Sequence, residues 1–117
     1  MTDAVLETSM LEQLAHELGG DPEPVRDLIE SYLTEAPISL SRVRSAIERG
    51  SGTDLARAAH SLKSSSAMLG AKTVSLLAIE LETIGRSGSL KGASERLAAM
   101  SQLFPRVEQA LRLWMKQ

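Results

Sequence analysis

The sequence predicts an all-α protein: an up-and-down antiparallel four-helix bundle with an additional short N-terminal helix. Three observations predict it. Apolar residues recur at alternating four- and three-residue spacings along almost the whole chain, which is the period of one helix face. No stretch shows the two-residue alternation of a half-buried strand. The periodic stretches are separated by short turns rich in Gly, Ser and Pro, which makes sequential helices antiparallel neighbours. A chain of 117 residues fits one domain, 1–117. It is 43% hydrophobic but only 3% aromatic, so the core must be aliphatic, which suits helices.

Residues up to about Asp3 read as a short tail. Leu6, Met10 or Leu11, Leu14 and Leu18 predict a first helix over 5–18, stopped by Gly19-Gly20. Asp21-Pro22 then restarts the chain, with Asp21 as a cap and Pro22 at the first helical position, where its missing N–H has no helical partner. Val25, Ile29, Tyr32, Ala36, Leu40, Val43 and Ile47 keep one phase through Pro37, predicting a single bent helix over 22–49. Gly50-Ser51-Gly52 breaks it. Thr53 is the expected N-cap of a third helix over 53–69, and Gly70 the expected left-handed residue after it. Val74, Leu77, Leu81 and Ile84, widened by Leu76 and Ile79, predict a fourth helix over 72–86. After the Ser87-Gly88-Ser89 turn, Ala93, Leu97, Met100, Phe104, Val107, Leu111 and Trp114 predict a fifth over 90–115, bent at Pro105.

Composition narrows the function classes. The net charge is −2, which gives no bulk attraction to nucleic acid or an anionic membrane. With no cysteine there is no thiol chemistry, disulfide or cysteine metal site. No apolar run is long enough to cross a bilayer, and the N-terminal residues lack a signal-peptide core, so a cytoplasmic location is expected.

The stretch from Ala58 to Ala71, AAHSLKSSSAMLGA, draws attention. On a helix, Leu55, Ala59, Leu62, Ser66 and Leu69 form a core-facing stripe. His60 lies about 100° round from Ala59, at its edge. Its neighbours one turn away are Ala56, Arg57, Lys63 and Ser64, with Ala67 two turns on. A histidine among small side chains, flanked by two cations, can be approached closely by another protein and can carry an anionic group.

This stretch resembles the histidine-containing phosphotransfer (HPt) domains of two-component phosphorelays, through Ala59, His60, Leu62, Lys63, Ser65, Ser66, Leu69, Gly70 and Ala71. It departs at Ser64, where the family usually has Gly. The resemblance implies a helical bundle and a phosphorelay intermediate without kinase activity of its own. His60 would accept a phosphoryl group from a receiver-domain aspartyl phosphate and pass it to another receiver. An imidazole with an ordinary pKa near 6.5 is largely neutral and nucleophilic at pH 7. Lys63, and with it Arg57, would offset phosphoryl charge. By resemblance, Glu82 would hydrogen-bond the ring nitrogen that is not phosphorylated. The expected docking face includes Ala56, Ser64 and Ala67, with second-helix residues completing it. Expected partners are receiver domains of response regulators or a hybrid histidine kinase. No cofactor or metal is expected on this chain; the magnesium would be the receiver's. Since one chain supplies all the helices, a monomer is expected.

Other readings compete with this one. A helical adaptor could bind a receiver or kinase without carrying phosphate, in which case His60→Ala would preserve binding. A metal or enzymatic site built from His16 and His60 would need several ligands converging, and no H-x-x-x-H or E-x-x-H pair supplies them. His16 lies off the Leu11–Leu14–Leu18 stripe and reads as solvated. Ser64, Ser65 and Ser66 read as small packing residues. No glycine-rich nucleotide loop is present, so kinase activity has no support.

Overall fold

Each helix of this protein has one apolar face and must bury it against another helix. The structure, a computed structural model, describes residues 5–117. The tail expected up to Asp3 lies outside them. Five helices follow in order: α1 (Thr8–Glu17), α2 (Glu23–Arg49), α3 (Gly52–Met68), α4 (Lys72–Arg86) and α5 (Ala93–Met115). Among the described residues there is no strand.

Helices α2 to α5 close into a ring: α2 packs on α3, α3 on α4, α4 on α5, and α5 back on α2. Three contacts fix their directions. Arg49 at the end of α2 pairs with Asp54 at the start of α3 at 2.9 Å. Glycines at the start of α3 and the end of α4, Gly52 and Gly85, approach backbone to backbone. Arg26 in the first turn of α2 donates to the carbonyls of Met115, the last residue of α5, and of Gln117 just after it. All three pairs are antiparallel.

The interior is aliphatic, as composition requires. Leu11, Ile29, Val43, Leu55, Leu62, Leu81, Met100 and Leu111 are fully buried. The two buried aromatic rings, Tyr32 and Phe104, meet at 5.8 Å between centroids. Burial raises the Tyr32 phenol to about 12, against the opposing hydrogen bond with Ser66. Tyr32 Oη and Ser66 Oγ are 2.8 Å apart, so each satisfies the other inside the bundle.

The proline in α2 does not divide it. Pro37 is exposed, and the buried phase carries on from Ala36 to Val43. At the helix start, Pro22 is already helical and Asp21 Oδ1 accepts from the Glu23 N–H at 3.0 Å. The expected arrangement is shifted by one residue: Pro22 takes the N-cap position rather than the first helical one, and α2 starts at Glu23 rather than at residue 22.

Four further expectations need correction. First, α1 begins at Thr8, not residue 5. The backbone of Glu7 is extended, and its N–H bonds the carbonyl of Gly70 at 2.9 Å, docking the chain onto the α3–α4 turn before any helix starts. Second, Ser51, not Thr53, caps α3. Ser51 is extended after the left-handed Gly50, and its Oγ accepts from the Asp54 N–H at 3.2 Å. Third, α5 starts at Ala93 because Gly92, at φ 88°, completes a turn with Leu90 first. Fourth, Leu18, Leu76 and Ile79 are exposed. The inward face of α4 is rotated toward smaller and polar side chains: Ser75, Ala78, Glu82 and Gly85 are buried with Val74 and Leu81.

Candidate functional site

The face of α4 that turns inward is the one that meets His60. Residues 78, 82 and 85 follow one helix stripe, and α3 presents 52, 56, 60 and 63 along the facing edge. Glu82, at 7% exposure, is the single buried charged residue among those described. A carboxylate there is tolerable only if it is paired. It has three partners. His60 Nδ1 lies 2.9 Å from Oε2, Lys63 Nζ 2.8 Å from Oε1, and Arg86 Nη2 2.8 Å from Oε2.

The hydrogen bond from Lys63 holds the Glu82 carboxyl below the usual range, more than offsetting the upward effect of burial; His60 and Arg86 act in the same direction as Lys63. An ionised carboxylate can only accept. Nδ1 therefore carries the proton, and in the neutral ring Nε2 keeps its lone pair. No hydrogen bond reaches Nε2 from the described residues. The His60 side chain is 58% exposed, although its Nδ1 edge is anchored to a buried group.

The ring stands at the rim of an open recess lined by Gly52, Thr53, Ala56, Arg57, Gly85, Arg86 and Gly88. Its walls come from α3 and the end of α4, with no residue from α2. Helix α2 instead contributes Ser39, Arg42, Ser45 and Arg49 to a second groove, which shares Arg57 with the first.

The expected site residues sort as follows. His60, Lys63 and Glu82 come together. Arg57 is exposed on the recess wall and is not among the three side chains that reach Glu82. Ser64 is exposed one turn from His60. Ala67 is exposed and borders a shallow apolar recess with Met10 and Leu76. Ala56 differs from expectation: it is 8% exposed, because the last turn of α4 sits over it at Gly85. It lines the recess without offering surface. His16 is exposed on α1, apart from this cluster. Among the described residues, no three side chains of His, Asp or Glu gather as metal ligands.

Sequence reasoning missed Arg86, Gly52 and Gly85. The signal for Arg86 was its (i, i+4) spacing from Glu82 on one helix. The signal for Gly85 was a glycine inside a periodic helix, where it costs about 1 kcal/mol relative to Ala.

Three kinds of similarity to known proteins accompany this fold. A family profile described as "Hpt domain" matches residues 27–111, from the start of α2 to near the end of α5. The phosphorelay protein LuxU of two Vibrio vulnificus strains is 28% identical over 110 residues, covering 94% of each chain. The crystal structure of histidine-containing phosphotransfer protein B (HptB) from Pseudomonas aeruginosa PAO1 superposes with a TM-score of 0.86 at 25% identity. That match covers 98% of this chain and 97% of the other.

Proposed function

The chain belongs to the Hpt domain family and is a phosphotransfer intermediate of two-component signalling; from that premise we propose that His60 is the residue that carries the phosphoryl group. The observation that carries this reading is the His60–Glu82 bond. It pairs an exposed imidazole with a buried carboxylate through Nδ1, leaving Nε2 as the nucleophile.

The donor is an aspartyl phosphate on a receiver domain. The Nε2 lone pair attacks phosphorus, the N–P bond forms, the acyl P–O bond breaks, and the aspartate leaves as carboxylate. No proton moves. The proton on Nδ1 stays, so the ring gains positive charge as the bond forms, and Glu82 lies against it. Lys63 and Arg57 lower the cost of bringing a phosphoryl dianion to this face. Transfer to a second receiver is the same step reversed. The magnesium that orients the phosphoryl group belongs to the receiver, and the chain acts as a monomeric carrier with no catalysis of its own. Ser64, one turn from His60, and Ala67, two turns on, are small and exposed and form the surface that admits the partner.

The test is phosphotransfer from a panel of phosphorylated receiver domains to the wild type and to His60→Gln. The expected result is acid-labile, alkali-stable label on the wild type and none on the variant. Equal labelling of both would exclude His60 as the carrier. Binding of receivers without labelling of either would favour the adaptor reading.

A further inference from the structure

Gly85 lies inside α4 with ordinary helical backbone, so its conformation does not call for glycine. Its surroundings do. A Cβ built on Gly85 would lie 2.6 Å from the carbonyl oxygen of Gly52, 2.8 Å from the backbone nitrogen of Ala56 and 3.1 Å from the Ala56 Cβ. The two nearest atoms are backbone and cannot swing aside. A Cβ on Gly52 would likewise run into the carbonyl of Gly85. Two glycines on facing helices thus let the α3 and α4 backbones touch.

This contact lies one turn from Glu82 on α4 and one to two turns before His60 on α3, where Gly52 stands two turns away. Gly85 is three residues beyond Glu82, and Ala56 is four before His60. The helix spacing it imposes is also the spacing across which Oε2 must reach Nδ1, 2.9 Å away. Carbon atoms approach other heavy atoms comfortably at about 3.5–4.0 Å. Relieving a methyl group at Gly85 would therefore move the helices apart by roughly 1 Å, and a hydrogen bond stretched to about 3.6 Å is no longer one. The Lys63–Glu82 pair is less exposed to this change, because the lysine arm is long and flexible.

We infer that Gly85 and Gly52 are positioning residues for phosphotransfer: their backbone contact sets the α3–α4 spacing that allows Glu82 to hold the His60 ring in its Nδ1–H form. The inference rests on the reading of His60 as the phosphoryl carrier.

The experiment uses the full chain labelled with ¹⁵N. Long-range ¹H–¹⁵N correlation spectra of the imidazoles report the His60 tautomer without any partner. Transfer from a phosphorylated receiver is measured on the same samples. In the wild type the neutral ring should be mainly Nδ1–H. In Gly85→Ala and Gly52→Ala the spectrum should move to a tautomer mixture, with transfer slowed at least fivefold, while circular dichroism still shows a folded helical protein. Ala56→Val crowds the same contact from a side chain and gives the same readout should an alanine variant fail to fold. A wild-type tautomer pattern in every folded variant would overturn the inference. A wild type that takes no phosphoryl group would instead strike at the reading of His60, and the tautomer shifts would still report the positioning.

Discussion

Lys63 and Glu82 are joined by a 2.8 Å ion pair across the α3–α4 interface, so the cation next to His60 is already neutralised by the neighbouring helix. Register on α3 alone placed that lysine beside the histidine, with its charge available. A phosphoryl group on Nε2 must compete with Glu82 for it. Lys63→Met should slow phosphoryl acceptance about tenfold, the equivalent of one charge-assisted hydrogen bond. The His60 tautomer should stay as in the wild type, since the Nδ1–Glu82 bond does not pass through Lys63. Rapid-quench transfer from a phosphorylated receiver measures the rate, and an unchanged rate would remove Lys63 from the mechanism.

The depressed pKa of Glu82 has a consequence for stability in acid. The folded state holds this carboxyl ionised below the ordinary glutamate value of about 4.3, so the unfolded chain binds more protons as pH falls. The stability it contributes is present above that value and disappears as pH drops through the folded-state pKa. Glu82→Gln should be less stable than the wild type at pH 7, and the gap should narrow as pH falls below the ordinary glutamate value of about 4.3. Urea melts of both proteins across that range supply the comparison; a constant gap would contradict the ion-pair assignment.

At the alkaline end the relevant group is Tyr32. Its folded pKa is raised to about 12, so the unfolded chain loses its phenolic proton first, near pH 10. The wild type should lose about 2–3 kcal/mol of stability between pH 10 and pH 12 from this residue alone. Tyr32→Phe should cost about 1 kcal/mol at pH 7, where Ser66 loses its partner, and should then overtake the wild type above pH 10. Parallel alkaline and neutral melts decide it.

Ser64 stands where HPt domains usually have Gly. A helix-interior serine is better than glycine by about 0.5 kcal/mol, and its hydroxyl is exposed beside His60. Ser64→Gly should lower Tm by a few degrees and change transfer rates unequally among receivers. A uniform rate across the receiver panel would show that the hydroxyl takes no part in partner choice.

The helices were legible in the sequence because burial has a period. The α4 boundaries fall where the pattern put them, and α2 runs through Pro37 because the stripe never changes phase there. The apolar pattern was misleading where α4 buries small and polar residues. Leu76 and Ile79 look like core residues in one dimension, yet Glu82 and Gly85 occupy the inward arc. The local motif singles out His60 and Lys63 as candidates and family resemblance points to Glu82, and the structure brings these three side chains together. Arg86 and the Gly52–Gly85 contact depend on how two helices meet, which no single-helix pattern encodes. The cap of α3 lies at Ser51, two residues before the expected Thr53, because Ser and Thr both make good caps and only the backbone after Gly50 distinguishes them.

The attachment of α1 bears on how the molecule fluctuates. This ten-residue helix lies outside the ring of four and packs on α2; among the described residues its leading edge is tied by the backbone bond from Glu7 to Gly70 and by an exposed Glu7–Lys72 ion pair at 3.7 Å. A helix this short has little stability of its own in water. It should therefore detach as a separate unit at a free energy well below that of global unfolding. Native-state hydrogen exchange should show the amides of Leu11 to Glu17 exchanging ahead of those in the middle of α3 and α5. Because Met10 borders the recess that holds Ala67, each such opening would also lay bare apolar surface two turns from His60.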